Sequence, residues 1–149
     1  MAIARGAGTE IIRSASFYDC SSATNTKLII GVQHHIYTVL NITVYAIGSY
    51  TPFTVSGILH GYDADNGTSG VDMIMFKNGI QAGESFVFND KFSFNGFEPT
   101  NFTGPMDDAT KQDAIADQGS SVAQYLYIYT SHAADDCDVS CTYIDQNNS

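Results

Sequence analysis

Three groups of side chains in this sequence could do chemistry. The adjacent pair His34-His35 supplies two imidazoles, the commonest metal ligands and the usual proton carriers near neutral pH. On a strand, neighbouring side chains point to opposite faces, so the two rings do not converge on one ion. The run Asp63-Ala-Asp65-Asn66-Gly67, with Asp72 beyond it, resembles the opening of a calcium loop, where alternate carboxylates turn toward one hard cation. The EF-hand spacing then breaks, because the glycine comes one position early and Ile74 stands where a closing glutamate belongs. A solvated turn without metal is the reading adopted; Asp63, Asp65 and Asp72 are the candidate ligands for a calcium ion at a seam between subunits. The third group is Cys20, Cys137 and Cys141, odd in number and without the two-residue gap of a zinc knuckle or redox motif. Cys137 and Cys141 share a face if they lie on a strand, and the preferred reading is a reduced, buried pair; a strained or intersubunit disulfide is the alternative.

Nucleophilic and phosphate chemistry find no foothold. There is no Gly-x-Ser-x-Gly elbow, and Ser56-Gly57 sits in an ordinary strand pattern. Arg5-Gly-Ala-Gly8 lacks the lysine and helix of a phosphate loop. The acidic residues are too many for any pair to single itself out as a glycosidase dyad. The expectation is a protein that is not an enzyme and carries no cofactor.

The tyrosines say more. Tyr125, Tyr127 and Tyr129 alternate and therefore share a face, with Tyr37 and Tyr45 as neighbours from another strand. Such a stripe suits a protein interface, where a ring is buried while its hydroxyl stays bonded. It equally suits a second sandwich face covered by a long loop, and a sugar-binding platform is a third reading. Arg5 and Arg13, near the N-terminus, complete the interface candidates.

These residues have to be placed by strands. Ile36 to Ile47 alternates, with Ile36, Leu40, Ile42, Val44 and Ala46 on one face and Tyr37, Asn41, Thr43 and Tyr45 on the other; Val122 to Thr130 repeats the design. Further strands are expected at Thr9 to Arg13, Ser16 to Asp19, Lys27 to Gln33, Phe53 to Leu59, Val71 to Lys77, Glu84 to Asn89 and Lys91 to Asn95, with Asn78-Gly79 and Asn89-Asp90 as hairpin turns. His60 to Gly70 reads as a loop, and 98–121 as a long acidic insertion carrying a short helix from Pro105 to Ala116. The predicted fold is all-β: an antiparallel β-sandwich, jelly-roll-like, forming one domain over 14–149 behind a flexible N-terminal arm at 1–13.

The net charge of -10 is uneven, because residues 1–27 hold three basic and two acidic side chains while all the remaining deficit lies beyond them. An acidic surface repels phosphate backbones, so no nucleic acid is expected as a partner. No apolar run reaches the length of a membrane span, and the opening lacks a secretory layout, which predicts a product of the cytoplasm and no membrane partner.

The segment Met73-Ile-Met-Phe-Lys-Asn-Gly-Ile-Gln-Ala-Gly-Glu-Ser-Phe-Val-Phe-Asn-Asp-Lys-Phe-Ser-Phe-Asn-Gly96, with Leu28-Ile-Ile-Gly-Val32, Val39-Leu-Asn-Ile-Thr-Val44 and Tyr125-Leu-Tyr-Ile-Tyr129, resembles small β-sandwich virion proteins of tailed bacteriophages over roughly residues 28–130. The resemblance implies assembly in the host cytoplasm, location in the virion, and symmetric homo-oligomers, often trimers. Within that family the preferred expectation is a capsid decoration or cement protein whose partners are the major capsid protein or other virion proteins. A tail, neck or fibre component and a glycan- or receptor-binding module are the alternatives. The insertion 98–121 departs from the family pattern, which has a short turn there.

Overall fold

The structure is a computed structural model and describes residues 9–22, 25–47, 52–63, 66, 68–98, 109–110, 122–132 and 134–147. Its strands are β1 (Thr9–Cys20), β2 (Lys27–Ile30), β3 (His35–Ala46), β4 (Phe53–Asp63), β5 (Thr68–Ile80), β6 (Ser85–Phe88), β7 (Phe92–Asn95), β8 (Phe97–Glu98), β9 (Val122–Ala123), β10 (Tyr125–Thr130) and β11 (Cys137–Asn147). One sheet runs β1-β11-β3 and ends on β6 and β7, which lie end to end along β3; the other runs β2-β10-β4-β5. All pairings are antiparallel, and the chain crosses repeatedly between the sheets, which is jelly-roll order. The all-β sandwich expected from alternation is the fold observed.

The core is where the inner faces meet. Val39, Ile42 and Val44 of β3 and Val139 of β11 face Leu28, Val55, Leu126 and Ile128 of the other sheet, all buried. Along one flank a chain of rings, Phe76, Phe88, Phe92, Phe94, Tyr37 and Tyr143, runs between the sheets at centroid spacings of 4.8–6.4 Å, within the range aromatic pairs prefer. Gly57 makes room for this, since a Cβ there would collide with the edge of the Phe76 ring at Cε1.

Several expectations are corrected by register. Thr9 to Arg13 is not a free arm: it is the first part of β1, paired residue for residue with Tyr143–Asn147. The Asn78-Gly79 pair lies inside β5, opposite Val55 and Thr54, and the turn falls instead at Gln81–Glu84, where Gly83 adopts φ 88°. Asn89-Asp90 is not a hairpin either. β6 pairs with Ile42–Tyr45 and β7 with Ile36–Val39, so the two are one interrupted edge strand whose break lies opposite Leu40 and Asn41. There β11 also shifts register, between Thr142 and Tyr143, so β3 carries a bulge at Leu40. One extra residue reverses the facing of everything before it. Tyr37 and Val39 therefore point inward with Ile42 and Val44, and Ile36 points outward. The strand expected from Val122 to Thr130 breaks at Gln124, and Val122 is exposed and not in the core. Strands also reach into the expected 60–70 loop from both sides, as far as Asp63 and from Thr68. Of the 98–121 insertion only Glu98, in β8, and Ala109 and Thr110, in a helical turn, are described; the rest of the expected helix lies outside the described residues.

Gly31 and Gly96 mark the tightest backbone approach. Gly31 N–H donates to the Gln124 carbonyl at 2.7 Å, and Gln124 N–H to the Gly96 carbonyl at 2.9 Å; a Cβ on Gly31 would occupy the Gly96 carbonyl. Because the obstruction is backbone on both sides, Gly31→Ala is expected to cost about 3 kcal/mol or more and to lower Tm by roughly 10 °C in a thermal melt.

Candidate functional site

The five tyrosines proposed as one stripe go to three places. Tyr37, turned inward by the Leu40 bulge, is 3% exposed, and its hydroxyl accepts a hydrogen bond from Val32 N–H at 3.1 Å. Tyr45 lies on the outer face of the β1-β11-β3 sheet. Tyr125, Tyr127 and Tyr129 do share the outer face of the other sheet, because Leu126, Ile128 and Thr130 between them point into the core.

That tyrosine face is closely furnished. Tyr125 sits between Lys27 of β2, whose Nζ lies 4.3 Å from the ring centroid, and His60 of β4, stacked on it at 4.6 Å. His60 Nδ1–H donates to Asp72 at 2.8 Å, and Tyr127 bonds the same carboxylate. With Asn25 these residues line a cleft of about 380 Å³. A cation over one side and an imidazole on the other leave the Tyr125 ring no bare face for a sugar to stack on, so the aromatic platform is already filled from within. Desolvation, reinforced by the Asp72 charge, pushes the Tyr127 hydroxyl up to about 12.

Of the carboxylates proposed for calcium, the two described ones, Asp63 and Asp72, are held by other partners. Asp72 is engaged by His60, and Asp63 accepts from Asn66 N–H at 3.3 Å and from its side-chain amide at 2.7 Å, closing a turn on itself. Asp65 lies outside the described residues. Among the described residues no three His, Cys, Asp or Glu side chains gather as a metal site would require. Of the histidine pair only His35 lies on a strand. His34 takes φ 65° in the turn before β3, and His35 Nδ1–H donates to Asp145 at 2.6 Å. Arg13 Nε–H donates to the other oxygen of that buried carboxylate at 2.9 Å. Arg13 therefore fastens β1 to β11 and is not an outward anchor; Arg5 lies outside the described residues.

The surface that sequence reasoning missed is the outer face of the β1-β11-β3 sheet. Register places Ile12, Ile144, Thr38 and Ser93 in one row across it, Ser14, Thr142 and Asn41 in the next, and Ser16, Ser140, Thr43 and Val87 in a third. None of these is charged, in a chain of net charge -10. Hydroxyls meet across strands, Ser14 with Thr142 at 3.2 Å and Thr38 with Ser93 at 2.9 Å. Large apolar groups stand out of the same face: Ile12 is 70% exposed and Tyr18, beside the third row, 78%. Ser16, Tyr18, Thr43, Tyr45, Asp138 and Ser140 surround a shallow hollow of about 200 Å³. The signal in the sequence was the alternating Ser14, Ser16 and Ser140, Thr142, which carries meaning only once the two strands are known to be neighbours.

No protein-family model matches this chain, and no curated protein matches it. Among solved structures a chain described as "Bacillus endospore appendages form a novel family of disulfide-linked pili" is similar, with 14% identity over 100% of this chain and 97% of that one and a TM-score of 0.45.

Burial pushes the Tyr37 hydroxyl up to about 12, the nearby Asp145 charge adding to the effect. A raised folded-state pKa holds the proton more tightly than the unfolded chain does, so its contribution to stability is intact below pH 10 and is lost as pH climbs from 10 to 12. Denaturant titrations across that window should show a loss larger by about 2–3 kcal/mol than that of Tyr37→Phe, and an ultraviolet titration should find Tyr37 and Tyr127 ionising last. A flat stability from pH 10 to 12 would contradict the assignment.

Proposed function

We propose that this chain is a non-catalytic structural subunit that works through contact area, with the three uncharged rows on the outer face of the β1-β11-β3 sheet, between Glu10 at one end and Asp138 at the other, as the surface laid against its neighbour in an assembly. The observation that carries the reading is the charge pattern. Charged residues are depleted at the centres of protein interfaces, and here three rows of a sheet carry none while the molecule as a whole is strongly acidic. Two such molecules repel each other through most of their surface. On this face they meet hydroxyls and aliphatic groups, which pack without leaving a buried charge. β1 adds a second means of contact. It is a 12-residue edge strand, and among the described residues its outer edge pairs with no other strand, which leaves it able to extend a sheet.

In its narrower form the proposal is the role that the sequence resembles, a decoration or cement protein of a bacteriophage virion. Its partners are then further copies of itself, as a trimer, and the major capsid protein. Stabilisation is by mass action: a subunit that binds the assembled shell and not its parts raises the free energy needed to open it. Residues 9–13 cannot serve as a reaching arm, because they are built into β1.

The test is to put charge on the face. Ser14→Glu with Ser16→Glu, both exposed positions on β1, is expected to weaken self-association or particle loading at least tenfold by sedimentation, with stability shifted by no more than about 1 kcal/mol. Association equal to that of the unaltered protein would reject this face as the contact.

A further inference from the structure

Cys20 ends β1 and Cys137 begins β11, and the register makes them direct cross-strand partners. They come together because β1 shifts register between Phe17 and Cys20, with Asp19 at φ 55°, which turns Cys20 inward beside Cys137. Both side chains are 0% exposed, and the Cys137 thiol donates to the Cys20 carbonyl at 3.5 Å. Directly opposed residues of an antiparallel pair have Cα atoms about 4.5–5.5 Å apart, inside the about 4.4–6.8 Å that a disulfide spans.

We infer that Cys20 and Cys137 are a disulfide site, closing a covalent clasp between the first and last strands when the chain meets a small-molecule disulfide oxidant. The arrangement also favours the chemistry. Interaction between the two thiols lowers the pKa of Cys20 and raises that of Cys137. Cys20 is therefore the attacking thiolate and Cys137 the resolving thiol. The Cys20 thiolate attacks one sulfur of the oxidant, forming a mixed disulfide and expelling one thiolate. Cys137 then loses its proton and attacks the Cys20 sulfur, expelling the second. Two electrons pass from the two cysteines to the oxidant, which leaves as two thiols. Access requires the end of β1 beyond the register shift to swing out, releasing the Cys20–Cys137 pairing and the hydrogen bonds from Asp19 N–H to Asp138 and from Ser22 N–H to Thr130. Cys141 is excluded: it faces Ala15 and Ile42 across its two neighbouring strands, and burial lifts its thiol to about 12.

The clasp would tie together residues 117 positions apart, a long loop of the kind whose closure restricts the unfolded chain most. The experiment is to unfold and refold the reduced full chain in oxidised glutathione, alkylate it under denaturing conditions, and map it by mass. One alkylated thiol in place of three, a linked fragment containing Cys20 and Cys137, and a Tm higher by about 10 °C that dithiothreitol reverses are expected. Cys141→Ala should behave identically, and Cys20→Ala should leave Cys137 alkylated. Three free thiols, a bridge to Cys141, or a link between two chains would overturn the inference.

Discussion

The constraint on which the rest depends is the placing of β11 between β1 and β3. A C-terminal strand inserted at the centre of a sheet brings the two ends of the chain together: ten registered residue pairs join it to β1 and eleven to β3. Without it β1 would have no sheet, the rows of the uncharged face would not exist, and Cys20 would have no partner. The Arg13–Asp145–His35 cluster sits on the same seam, one buried carboxylate accepting from both neighbouring strands. Such a charge is costly to bury alone and is tolerated because it is doubly bonded.

The two outer faces follow different physics. On the β2-β10-β4-β5 sheet, Lys27, Tyr125, His60, Asp72 and Tyr127 bond to one another in a single cluster, beside which Ile74 and Tyr129 stay exposed. On the three central rows of the β1-β11-β3 sheet the side chains are mostly short, uncharged and spaced by the pleat, and Ile12 among them stands into solvent. A charged cluster is costly to desolvate, whereas rows of paired hydroxyls and exposed aliphatic groups are not, which makes the second face the better candidate for docking.

How much of this was legible in the sequence depends on how local each signal was. The sandwich, most strands and the outward stripe Tyr125, Tyr127 and Tyr129 follow from period-two alternation alone. Tyr37 did not, because the bulge at Leu40 is set by β11 and β6–β7, partners that local pattern cannot name. β11 was legible only in the shared face of Cys137 and Cys141: its inward residues Cys137, Val139 and Cys141 are small and alternate with Asp138, Ser140 and Thr142, which makes a weak strand signal. Asn78-Gly79 imitates a hairpin turn but lies in a strand, where the pairing of β5 with β4 overrides local preference. The uncharged face was hidden for the same reason as Tyr37, since serines and threonines announce nothing until neighbouring strands align them.

The most direct test of the central claim is hydroxyl-radical footprinting of the assembled protein against the free subunit, because it reads side-chain exposure residue by residue. Burial of the β1-β11-β3 face predicts that Ile12, Tyr18, Ile144 and Val87 lose reactivity on assembly while Ile74 and Tyr129, exposed on the opposite sheet, keep theirs. Protection of Ile74 and Tyr129 with Ile12 and Tyr18 unchanged would place the contact on the tyrosine face and contradict the account.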